Sequence, residues 1–173
     1  MRVVDLVGEG FDCAIRLTMN PRLPAADLIA KRIGSLDIGF YASVSYAARR
    51  PLPKHPRELV DHDNVALFLG DTMPLQARGP RGVVKVRVTP RTSGDDLLFV
   101  RAAVVAGVGI GALPWFIAKH DLEAGTITRA LPEYSVGAGA AYVAHPPAKP
   151  LSPKVSAFAS YLVEHGPRMF TQP

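Results

Sequence analysis

The residues best suited to chemistry lie in one run, Thr92-Ser93-Gly94-Asp95-Asp96. Two small hydroxyls and two carboxylates stand just before an apolar stretch. A glycine series, Gly107-Val108-Gly109-Ile110-Gly111, follows it, and Pro114 comes after. The pattern predicts a capped helix, a glycine turn, a short buried strand and a second helix starting near Pro114. Ser93 has the character of an N-cap, with Asp96 three residues on in capping-box spacing. Gly107 has that of a helix stop. A helix N-terminus offers free N–H groups and a positive dipole end, so with hydroxyls beside it this segment suits a carboxylate or phosphate. Capping alone also explains the residues.

Signals for catalysis are weak. The five histidines are His55, His62, His120, His145 and His165, and none belongs to an H-E-x-x-H pair. There is no G-x-S-x-G nucleophile elbow. The glycine series follows a helix and precedes a strand, the reverse of a dinucleotide loop. The paired acids Asp95-Asp96, and Asp61 with Asp63, sit where capping or solvated carboxylates are common. The single cysteine, Cys13, excludes an internal disulfide and a cysteine metal cage, and its apolar neighbours predict burial. No cofactor or metal is expected.

Hydrophobic residues make up 48% of the 173 and charged residues 20%, the balance of a globular chain. Charges or prolines interrupt every apolar run before it could span a membrane. No basic-apolar leader is evident, so the cytoplasm is the expected location. The net charge of +5 comes from mostly scattered cations. One denser group, Arg78, Arg81, Lys85, Arg87 and Arg91, alternates with Val84, Val86 and Val88. That alternation predicts a strand with one solvated basic face, favoured here over a DNA-binding stripe.

These residues need a scaffold. The first helix is expected over Val3–Glu9 and a strand from Phe11 to Leu17. Pro21 to Pro24 reads as a loop. Extended chain over Leu28–Ile33 is expected to break at Gly34-Ser35, before a strand from Leu36 to Ala42. Short helices follow at Ser43–Arg49 and Arg57–His62, then a strand at Val65–Leu69. Gly70 to Gly82 reads as loop, and Lys85–Thr89 as strand. Beyond Pro114, a helix to His120, a turn at Asp121–Gly125, a strand at Thr126–Leu131 and a bend at Gly137 and Gly139 are expected. Ala140–Ala144 reads as a buried strand. The helix Ser152–His165 should bury Val155, Phe158, Ala159 and Leu162 and stop at Gly166-Pro167. The alternation gives an α/β fold. Two lobes are expected, 1–35 with 138–173 and 36–137, joined by two crossing strands with a ligand between them.

Several motifs together resemble the LysR-type transcriptional regulators. They are Val4-Asp5-Leu6-Val7-x-Glu9-Gly10-Phe11-Asp12-x-Ala14-Ile15-Arg16 and Leu28-Ile29-Ala30-x-Arg32-x-Gly34-Ser35. His55-Pro56-x-Glu58-Leu59 with His62, the Ala106–Pro114 glycine series and Asp121-Leu122-x-x-Gly125 follow, then Leu151-Ser152-Pro153-Lys154-Val155-x-Ala157-Phe158. They cover almost the whole chain in the family's order.

The resemblance implies the effector-binding domain of such a regulator, two-lobed and of periplasmic-binding-protein type 2. It implies a small metabolite, often a carboxylate, held between the lobes, and assembly into dimers or tetramers. Carried over by position, the effector-facing residues are Arg16, Thr92, Ser93, Gly94 and Ile110. The family's DNA-reading helix-turn-helix and the start of its first lobe have no counterpart in the sequence. Specific DNA contact is therefore expected only through that N-terminal domain, with an incomplete first lobe and pocket. The alternatives are a transporter's solute-binding receptor or a small α/β enzyme. An enzymatic role is not expected.

Overall fold

A computed structural model describes residues 5–18, 28–67, 71–147 and 151–170. The expected loop at Pro21–Pro24, and parts of the first helix and of the Val65–Leu69 strand, lie outside these residues. The chain forms two compact units, Met1–Leu36 with Ala138–Pro173, and Asp37–Gly137.

In the first unit, β1 (Ala14–Thr18) pairs antiparallel with β9 (Ser135–His145), Arg16 facing Tyr142. The expected first helix is a hydrogen-bonded turn over residues 6–10. Cys13 is half-buried, not enclosed. The chain crosses from one unit to the other inside β2 (Ile29–Ser43) and back inside β9. Neither Gly34-Ser35 nor Gly137 and Gly139 ends these strands, but Gly137 takes φ 108° and bends β9 locally. Gly34 is there for space: a Cβ on it would lie 2.9 Å from the Phe170 ring.

Phe170 is reached because α4 (Pro153–Phe170) runs through Gly166-Pro167. A Cβ on Gly166 would lie 2.3 Å from the Ile33 carbonyl oxygen, so this glycine permits close helix–strand packing instead of ending the helix. The buried row is Val155, Ala159, Leu162, Gly166 and Phe170. Phe158, expected inside, is 44% exposed, because it lies to one side of that row.

The second unit is a sheet covered on both faces. Alternation along β2 sends Phe40 and Ala42 into one cluster, with Tyr46, Leu59, Leu75, Val88 and Ile110. Tyr41 enters the other, with Val65, Val100, Val104, Leu113 and Ile127. The strand order is β5-β4-β9-β2-β7-β3-β6, with β8 (Ile127–Arg129) also on β2. Here β3 is Asn64–Leu67, β6 is Thr92–Gly94 and β7 is Ile110–Pro114.

The stretch read as loop contains β4 (Met73–Gly79), which forms a hairpin with β5 (Gly82–Val88) around Pro80-Arg81. Its prolines and glycines hid a period of two: Leu75 and Ala77 are buried, while Pro74, Gln76 and Arg78 face solvent. α1 (Val44–Arg49) is capped by Ser43, and Pro56–Asp61 is a 3-10 turn. α2 (Leu97–Val105) and α3 (Trp115–Glu123) flank β7, and α3 absorbs the first half of the expected Asp121–Gly125 turn.

Candidate functional site

The polar run of the sequence is a parallel strand that leads into a helix. β6 lies beside β3 with Thr92, Ser93 and Gly94 opposite Val65, Ala66 and Leu67, and all three are half-buried. Because Thr92–Gly94 commit their backbone to this ladder, the helix cannot begin at Ser93. Asp96 is the N-cap instead, and its carboxylate accepts a hydrogen bond from the Leu98 N–H at 2.6 Å. A carboxylate therefore already stands at the positive end of α2, where the sequence suggested open amides.

At its other end α2 closes as expected. Gly107 has φ 75°, its N–H bonds the Val104 carbonyl, and the Val108 N–H reaches the Ala103 carbonyl. Gly109 serves a different purpose: a Cβ there would lie 2.4 Å from the Asp63 carbonyl oxygen, the acceptor of the Ile110 N–H.

That same corner anchors β3. The Asn64 side-chain amide donates to the Leu59 and His62 carbonyls, each at 2.7 Å. The Arg91 N–H bonds the Asn64 carbonyl and its guanidinium meets the Asp63 carboxylate at 3.2 Å. The Tyr46 hydroxyl accepts from the Asp63 N–H at 3.3 Å and shares a hydrogen bond with His62 Nδ1 at 3.0 Å. Burial, followed by the charge of Arg50, lowers the His62 pKa and so disfavours the charged ring.

Ile110 lies across β3 from β6, opposite Asn64, and is 2% exposed in the core. Thr92, Ser93, Gly94 and Ile110 are thus held by one strand. Arg16 belongs to the other unit and is half-buried on β1.

One polar cluster went unnoticed in the sequence. Tyr41 is fully buried, and its hydroxyl has no hydrogen-bond partner among the described residues. The Arg129 guanidinium lies 5.7 Å from its ring centroid and 3.8 Å from Asp37. Burial raises the Tyr41 pKa, opposed by Arg129 and aided by Asp37. The available signal was the even spacing of Asp37, Gly39 and Tyr41, which puts them on one strand face.

Three further histidines make local contacts. His55 caps the 3-10 turn by accepting from the Arg57 N–H, and His145 Nδ1 meets the Pro146 carbonyl. His165 packs edge-on to Tyr161. Among the described residues no histidine hydrogen-bonds a serine, threonine or cysteine side chain, and no cluster could hold a metal ion. No described helix is long and apolar enough to cross a membrane.

Comparisons with known proteins identify the fold and the family. The chain is 29% identical over 164 residues to the uncharacterized HTH-type transcriptional regulator YhjC of Escherichia coli, covering 93% of the chain and 54% of that protein. It thus spans about half the length of the curated relatives it matches. The solved regulatory domain of AphB from Vibrio vulnificus superposes with a TM-score of 0.73 at 26% identity, over 94% of this chain and 78% of that one. Full-length AphB of Vibrio cholerae, described as a virulence activator of the LTTR family, gives a TM-score of 0.80 at 23% identity, over 95% and 55%. The mixed α/β fold is the one seen in these regulatory domains. The profile of the LysR substrate binding domain matches residues 1–167, and the chain belongs to that family.

Proposed function

We propose that this chain is the effector-sensing part of a LysR-type transcriptional regulator. In this reading a small anionic metabolite is held between two lobes, 1–35 with 138–173 and 36–137. Ligand state then biases the packing of a dimer or tetramer, and an attached DNA-binding domain reports it in the cytoplasm. Thr92, Ser93 and Gly94 are the proposed contacts of the second lobe, and Arg16 supplies the positive charge from the first. Ile110 acts from behind, packed in the core across β3. No catalytic step, cofactor or metal is involved.

The observation that carries this reading is the family match over residues 1–167. The half-buried hydroxyls of β6 support the choice of residues. The Asp96 cap argues that charge recognition falls to Arg16 and not to the helix dipole. The test is calorimetric titration of the chain, and of a full-length regulator containing it, with a panel of small carboxylates. Ser93→Ala and Arg16→Ala should each weaken binding about tenfold or more, the loss of roughly one hydrogen bond to a charged group. Unchanged affinity in both variants overturns the proposed site.

A further inference from the structure

The β4–β5 hairpin turns its apolar side chains inward and a set of cations outward. Leu75, Val84, Val86 and Val88 pack on the core. Pro74, Gln76, Arg78, Val83, Lys85 and Arg87 face solvent. Gln76 lies opposite Lys85 and Pro74 opposite Arg87, and β5 ends the strand order of the sheet. An open recess of about 330 Å³ runs between these pairs.

Four of the unit's cations are neutralised locally. Arg91, Arg101 and Arg129 meet Asp63, Asp121 and Asp37. Lys119 pairs with Glu123. Arg78, Lys85 and Arg87 have no carboxylate partner among the described residues. Arg81, in the turn, extends the group. The face itself carries no Asp or Glu.

We infer that this hairpin face docks on the phosphate backbone of duplex DNA, independently of base sequence. Lys85 and Arg87 stand two residues apart on a rigid strand, about 6.6–6.8 Å along it. Arg78 extends the same face on β4. Such a row can follow a regular line of phosphates, and each neutralised phosphate releases counterions. The face offers no Phe, Tyr or Trp. Single-stranded nucleic acid needs aromatic stacking platforms, and protein interfaces concentrate their energy in Trp, Tyr and Arg anchors set in pockets. Point charges without aromatics suit a duplex backbone best. A domain attached to a DNA reader would gain affinity from this contact without altering which sequence is read. The inference does not depend on the effector-sensing reading.

The test is fluorescence anisotropy of the 173-residue chain with a labelled mixed-sequence duplex across a salt series. Three phosphates give a slope of about −2.7 in log K against log salt, or about 40-fold weaker binding between about 50 and about 200 mM. The R78Q/K85Q/R87Q variant should lose at least about tenfold in affinity at about 50 mM and most of the slope. K31Q/K154Q/R168Q, which removes the same net charge from the other unit, should stay within about twofold. R78K/R87K should keep the slope, since the contacts are charge and not fork geometry.

Equal losses in the two triple variants would reduce the effect to net charge and overturn the proposal. So would no duplex binding by the unaltered chain at about 50 mM. Tighter binding to polyglutamate than to duplex would assign the face to an acidic protein instead.

Discussion

Ser93 is the expected N-cap with Asp96 as its capping-box partner three residues on, yet Asp96 is the residue that caps α2. Only the ladder to β3 decides between them, and that ladder is not visible in residues 92–96 alone. The separation is measurable. Asp96→Ala should lower the stability of the second unit by about 1 kcal/mol, within the 0.5–2 kcal/mol range of lost N-caps, in chemical denaturation. Ser93→Ala should change it by less than about 0.5 kcal/mol, since its hydroxyl holds no helix N–H. The reverse order would mean that α2 starts earlier in solution.

His62 supplies a second residue-scale prediction. Burial, then Arg50, lowers its pKa in the fold, while Asp61, Glu58 and Asp63 pull the other way. Below the ordinary value of 6.5, the unfolded chain therefore binds the proton more readily than the folded one. The stability from the neutral ring is complete above that value and is lost as pH falls through the window beneath it. His62→Asn keeps a hydrogen-bonding group for the Tyr46 hydroxyl but does not titrate. Denaturation midpoints compared at about pH 7.5 and about pH 5.5 should fall more for the unaltered chain than for the variant. Equal falls would remove His62 from the account.

At the scale of elements, glycine was the ambiguous letter. Gly107 reads correctly as a stop because the left-handed residue and the end of an apolar helix are both local facts. Gly34, Gly137 and Gly166 look the same in sequence, yet strands or helices run through them. Gly34 and Gly166 answer to Phe170 and Ile33, more than 130 residues away in the chain, and no local pattern carries that. The hairpin was missed for a related reason: proline and glycine punctuate its turn and start, while its buried alternation pairs with a core built elsewhere. The helix–glycine–strand–helix order of the central segment was legible because each boundary there is set by a near neighbour.

Two glycine variants separate these causes. Gly125 has φ 68° and open space around it, so Gly125→Ala should cost about 1–2 kcal/mol, the strain of a left-handed residue. In Gly109→Ala the new methyl meets the Asp63 carbonyl, which cannot retreat without losing the Ile110 N–H. That variant should lose about 3 kcal/mol or more in equilibrium unfolding, at the upper end of overpacking costs. A smaller loss than Gly125→Ala would show that the Asp63 corner yields easily.

At the scale of the whole molecule, the first unit leaves a run of large apolar side chains exposed. Along α4, Phe158, Tyr161, His165 and Met169 follow at spacings of three, four and four, which is one helical stripe. Phe158 is 44% exposed, Tyr161 57% and Met169 54%. Val7, Phe11 and Ile15 add exposed apolar groups in the same unit. Patches of this kind mark contact surfaces. The chain should therefore self-associate, with a sedimentation coefficient that rises with concentration. Phe158→Glu with Met169→Glu places charges on the stripe at positions that leave the buried row Val155, Ala159 and Leu162 intact. This double variant should stay folded and sediment more slowly than the unaltered chain at equal concentration. If the unaltered chain sediments as a monomer throughout, the stripe is not a self-association surface. If both associate equally, the contact lies elsewhere in the molecule.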